Sequence, residues 1–131
     1  MTPFKLLNNL AGLSNREASN FFSVHRDTVK AWSSGKNTAP AEVLEELRGL
    51  IEKIDRAAGQ IVDFINRSGA IDVELGYYVD DHKAQSLGLP GVGAHNAILA
   101  RVIAELPDDI KINLVPRGST PGTAAAADQH L

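Results

Sequence analysis

Arg26, Asp27 and Lys30 stand close together within residues 13–35, LSNREASNFFSVHRDTVKAWSSG. Their side chains match the chemistry of nucleic-acid bases. A guanidinium bonds guanine O6 and N7 together, a carboxylate accepts from the cytosine amine, and an ammonium reaches a base or a phosphate. Arg26 is therefore the first candidate for base reading, with Lys30 beside it. Asp27 either takes a cytosine amine or pairs with Lys30 at i+3, and the pairing is the favoured reading. Such groups read DNA only when one helix presents them together, because the major groove admits a single helix whose first residues reach the base edges.

The surrounding residues supply that helix and one before it. Ser14 followed by Glu17 is a capping box, in which each side chain satisfies a backbone N–H at the helix start. Ala18, Phe21 and Phe22 then share one face. Ser23-Val24-His25 is a turn, with Val24 directed into a small core. Helical spacing resumes from Arg26 to Ser33, with Val29 and Trp32 inward and Arg26, Asp27, Lys30 and Ala31 outward. Gly35 suits a left-handed helix ending. Phosphate contacts are expected from Asn15 and Arg16 at the first helix start, where backbone N–H groups favour an anion. They are also expected from His25 and Thr28 at the second start, and from Lys36, Asn37 and Thr38 just past its end.

The segment resembles the helix-turn-helix of the Cro/C1-type repressor family, through Glu17, Ala18, Val24, Val29, Trp32 and Gly35 in order and spacing. Three positions depart from the family pattern. Ser23 stands where the turn usually has Gly, which strains the backbone if φ is positive there. His25 stands where Ser or Thr usually caps the recognition helix. Ser19 replaces a small residue that is commonly Ala.

Charge is divided along the chain. All 131 residues together hold 13 Lys and Arg against 16 Asp and Glu. Residues 1–40 hold Lys5, Arg16, Arg26, Lys30 and Lys36 against Glu17 and Asp27, and the acidic excess lies beyond them. A basic head on an acidic body fits binding DNA by one end, and does not fit a histone-like coater. There is no cysteine, hence no disulfide framework or thiolate metal site. The first residues, MTPFKLLNNLAGL, lack the basic and apolar regions of a signal peptide and read as a short helix, capped by Thr2 and ended at Gly12. No stretch is apolar enough to span a membrane. A cytoplasmic protein is expected.

From residue 41 to 69 a long helix is expected, started by Pro40 or Ala41 and ended at Ser68-Gly69. Leu44, Leu47, Ile51, Ile54, Ala58, Ile61 and Ile65 recur by threes and fours as a heptad seam. Val43, Leu50, Ala57 and Phe64 add a second row. Such a helix either packs wholly under its own domain or is shared between core and dimer interface; the width of this face favours the second, with Leu47, Ile51, Ile54, Ile61 and Ile65 as dimer contacts. Residues 70–116 read as strand, helix, strand. Ile71, Val73, Leu75, Tyr77 and Val79 form the first strand, a glycine-rich loop follows, and Ile98, Leu99, Val102, Ile103 and Leu106 line the helix. Ile110, Ile112, Leu114 and Val115 form the last strand, making a small βαβ unit or a sheet completed across a dimer. Residues 117–131 have nothing to bury and read as a disordered tail. The expected class is mainly α with a small α+β C-terminal part. The run from VELGYYVDDHK to DDIKINLVP is similar to the C-terminal part of small bacterial and phage repressors, some of them anti-CRISPR-associated, through its layout and the wording AHNAILARVIAELP.

Other chemistry is sparse. Gly91-Val92-Gly93 before a helix has the look of a phosphate loop but lacks the P-loop lysine and the dinucleotide fingerprint. Asp80, Asp81, His82 and His95 are metal-ligand types at no zinc spacing. No catalytic triad, cofactor site or ligand pocket is marked. The expected function is a dimeric, sequence-specific DNA-binding regulator with no cofactor. It would repress a small operon, its own or a neighbouring one, from an inverted-repeat operator, as the resemblances imply. A protein-interaction module of antitoxin or adaptor type is the alternative, and a small nucleotide-binding enzyme a more distant one.

Overall fold

Thr2 accepts a hydrogen bond from the Lys5 amide at 3.1 Å and Pro3 follows at a position that needs no N–H, so helix α1 begins there and runs Pro3–Leu10. The computed structural model describes residues 1–117. α1 is followed by α2 (Asn15–Phe22), α3 (Arg26–Ser34), the long α4 (Ala41–Ser68), strand β1 (Asp72–Tyr77), a one-turn α5 (Asp81–Gln85), α6 (Val92–Glu105) and strand β2 (Lys111–Pro116). The protein is mainly helical with a small C-terminal α+β part, as its sequence leads one to expect.

The first three helices enclose an aromatic cluster. Trp32 meets Phe4 edge-on with ring centres 5.3 Å apart, and Phe22 lies 6.1 Å from both. Offset and edge-on pairs at such distances add about 0.5–1.5 kcal/mol to the burial of the rings. β1 and β2 pair in parallel, with Val73 opposite Ile112 and Leu75 opposite Leu114. The connection between them runs through α5 and α6, so the βαβ arrangement forms within one chain. α5 lies in the stretch read from sequence as a loop. Asp80 caps it by accepting from the Lys83 amide at 3.1 Å.

α4 behaves differently from the expected dimer seam. Leu47 and Ile54 are fully buried, Ile61 and Ile65 nearly so, and Ile51 is half-buried. α6 packs along α4, bringing buried Ala94, Ile98, Leu99 and Val102 into the same hydrophobic core. The heptad spacing is satisfied by the chain's own helices, and four of the five assigned dimer contacts are used up inside it. One core runs from Phe4 through α4 to Leu106, so head, long helix and C-terminal unit share their apolar interior.

The first residue assigned to the tail is also placed differently. Arg117 continues the ladder, its amide donating to the Tyr77 carbonyl at 2.8 Å, and its guanidinium lies 4.3 Å from the centre of the Tyr78 ring. The rest of that segment lies outside the described residues.

Candidate nucleic-acid interface

The turn between α2 and α3 is built around Ser19, Ser23 and Val24. Ser23 takes φ 55° and ψ 46°, a left-handed conformation that costs a non-glycine residue roughly 1–2 kcal/mol. Two bonds hold it. The Val24 amide donates to the Ser19 carbonyl at 3.0 Å, ending the helix, and the Ser19 hydroxyl donates to the Val24 carbonyl at 2.6 Å. Ser19 is therefore a brace for the turn, a role invisible without the fold. His25 occupies the N-cap of α3 without a side-chain capping bond, and Gly35 ends α3 at φ 86°. Val29 and Trp32 are buried as expected. Ala31, expected to face outward, is only 8 % exposed.

Arg26, Asp27 and Lys30 are exposed on α3, and among the described residues their side chains form no ion pair. The favoured Asp27–Lys30 pair is thus absent, which leaves both charges open to solvent. Asp27, Thr28 and Lys30 line a shallow groove of about 520 Å³ together with Lys36 and Asn37. A second groove of about 410 Å³ brings Asn15 to Lys30 and adds Lys5, Asn9 and Ser33. Lys30 belongs to both. Lys5 and Asn9 on α1 carry no site signal in the sequence, because only the fold brings that helix beside α3 and its Ser33. Arg26 and His25 lie outside both grooves, at the exposed start of α3.

Arg16 does not join this set. Its Nη1 lies 2.6 Å from Asp81 Oδ2, so the side chain is turned toward α5. The pairing raises the Arg16 pKa further. Asp81 is held below the usual carboxylate range, first by the hydrogen bond from the Val92 amide at 2.8 Å and then by Arg16. Glu17 completes the junction. It is buried, its Oε1 accepts from the Ser14 amide at 3.3 Å, and its Oε2 accepts from the Gly93 amide at 3.0 Å.

The glycine loop is thereby explained. α6 has no side-chain cap of its own, and two of its first amides are satisfied by Asp81 and Glu17. A side chain on Gly91 would collide with both carboxylates. The N–H groups that a phosphate would need are occupied by carboxylate oxygens. Asp80 and Asp81 are likewise committed to the α5 cap and to Arg16, while His95 is buried beneath Arg117.

No helix among the described residues is long and apolar enough to cross a membrane. No protein-family model matches the chain, and comparison with curated proteins finds no match.

Proposed function

We propose that this chain is a sequence-specific DNA-binding regulator that enters the major groove with α3. The observation that carries the reading is the α2–turn–α3 unit, with its left-handed Ser23 and an outer α3 face that leaves Arg26, Asp27 and Lys30 unpaired among the described residues. Unpaired charged side chains at the start of an exposed helix suit base contacts. Lys36 and Asn37 at its far end, and Lys5, Asn9 and Asn15 across the second groove, suit phosphate contacts that set register. Arg16 contributes less than its position suggests, because Asp81 neutralises it.

In this reading the chain acts in the cytoplasm as a homodimer on an inverted-repeat operator, repressing by occupying promoter DNA. The second copy would use surface outside the buried heptad seam. Ile71, Val79, Ile103 and Leu114 stand exposed on the C-terminal unit and offer apolar area for it. Selection of bound sites from random duplex DNA tests the proposal. A palindromic consensus with half-sites about one helical turn apart is expected. Recovery of no consensus, with no retention on duplex DNA at low salt, would overturn it.

A further inference from the structure

A pocket of about 130 Å³ lies between the start of α1, the end of α3 and the loop that leads to α4. Its walls include Phe4, Trp32, Ala39 and Leu44, and its mouth carries Asn37 and Thr38. The neighbouring Thr2 hydroxyl brings no free donor, since it already donates to the Trp32 carbonyl at 2.8 Å. Such walls hold water poorly, because a bound water needs two to four polar partners. At the mouth, Asn37 and Thr38 are exposed. Among the described residues their side chains make no hydrogen bond. An apolar body with a few convergent polar groups at its rim is the ordinary form of a small-molecule site.

We infer that this pocket binds a single aromatic ring bearing one hydroxyl or amino group. Volume sets the ring number: an apolar cavity of roughly 150 Å³ accepts benzene, whereas drug-sized ligands need about 300 Å³ or more. Chemistry sets the rest. Phe4 and Trp32, edge-on at 5.3 Å and themselves largely buried, back the pocket and offer the ring a small area of aromatic wall. Asn37 and Thr38 offer both donors and acceptors to its polar substituent. Asn37 also lines the groove that contains Lys30 and Lys36. A ligand bonded to Asn37 therefore withdraws it from phosphate contact and lowers DNA affinity, a consequence that rests on the proposed DNA-binding function.

Phenol is the probe. Trp32 is the chain's single tryptophan, so one indole N–H signal reports on the pocket in a nitrogen-15 correlation spectrum. Titration of the full chain is expected to give saturable shifts at the Trp32 indole and at the Phe4 and Asn37 amides, with a dissociation constant on the order of millimolar. Ala39→Leu, which fills the space, should abolish saturation while the melting temperature is held or raised. The exposed pair Asn37→Ala and Thr38→Ala is the second test should Ala39→Leu fold poorly. Together they should weaken phenol severalfold and leave benzene unchanged. Shifts that fail to saturate, that spread evenly over the molecule or that persist in Ala39→Leu would overturn the site, as would equal losses of phenol and benzene in the surface pair. Phenol should also release the wild-type chain from its selected duplex, and release that is absent despite saturable shifts would overturn the link to DNA. A chain that binds no duplex at all defeats the DNA reading alone, because the spectra still decide the pocket.

Discussion

Glu17 Oε2 accepts the Gly93 amide at 3.0 Å, joining the capping box of α2 to the first turn of α6 across 76 residues of chain. The same carboxylate closes its own helix through Ser14. Beside it the backbones of Gly12 and Gly93 approach so closely that a Cβ on either would overlap the other's carbonyl oxygen. Arg101 adds a bond to the Leu10 carbonyl at 3.0 Å. The head is thus fastened to the C-terminal unit. Glu17→Ala leaves the half-buried Gly93 amide and the exposed Ser14 amide without their partner, and a loss of about 2 kcal/mol is expected, chiefly from Gly93, since a buried unsatisfied donor costs about 1–3 kcal/mol. Thermal unfolding followed by circular dichroism should show one transition at lower temperature. A separate early transition of the head would contradict the shared core.

Asp81 restrains Arg16 electrostatically. Asp81→Asn keeps an oxygen for the Val92 amide but removes the charge beside the guanidinium. The freed Arg16 should tighten duplex binding and steepen the dependence of log K on log salt by roughly 0.9, the increment of one further phosphate contact. Fluorescence anisotropy with the selected duplex across a salt series measures both. Unchanged affinity and slope would show that Arg16 does not reach DNA even when released.

Arg26 and Lys36 are expected to fail in different ways. Arg26→Ala should cost about 1–3 kcal/mol and relax specificity at one base position in each half-site. Lys36→Ala should weaken all duplexes about equally and make the salt dependence shallower. Competition between consensus and scrambled duplexes separates the two. Loss without relaxation for Arg26, or base-selective loss for Lys36, would reverse their roles.

Ile54→Glu distinguishes a core position from an interface position. Ile54 is fully buried in one chain, so a carboxylate there has neither water nor a partner. Loss of more than about 4 kcal/mol is expected, enough to unfold a marginally stable chain. Far-ultraviolet circular dichroism and light scattering measure the outcome. A folded monomer would instead restore Ile54 to a dimer seam.

Ile54 lies at the boundary between signals that are local in the chain and contacts that only the fold creates. The Ser14–Glu17 box, the caps Thr2 and Gly35 and the inward Val29 and Trp32 were legible, because each depends on neighbours within a few residues. The heptad row was legible as an apolar face, but its spacing is the same whether the partner is α6 or another copy. Arg16 looked like a phosphate ligand from its place at a helix start. In the structure it pairs with Asp81, which is remote in sequence and reads there as a metal-ligand type. α5 is a single turn, too short for periodicity to mark. Arg117 looked like tail, since Tyr78 and His95 become its neighbours only when the sheet forms.

His95 makes stability depend on acidity. It is fully buried on α6, with its ring 4.6 Å from Tyr78 and Nε2 3.4 Å from Arg117 Nη1. A guanidinium only donates, so Nε2 is the acceptor and Nδ1 carries the proton, with no hydrogen-bond partner for it among the described residues. Burial, and then the Arg117 charge, lower its pKa from 6.5 to about 4. Above pH 6.5 the ring is neutral in both folded and unfolded chains and the linkage is flat. Between 6.5 and 4 the unfolded chain takes up a proton that the folded chain refuses, so stability falls with falling pH, by on the order of 3 kcal/mol across the window. Urea midpoints at several pH values should trace this fall for the wild type. His95→Gln, which cannot titrate, should be flatter between pH 6.5 and 4 even if less stable at neutral pH. Parallel profiles for the two proteins would assign the acid sensitivity to other groups.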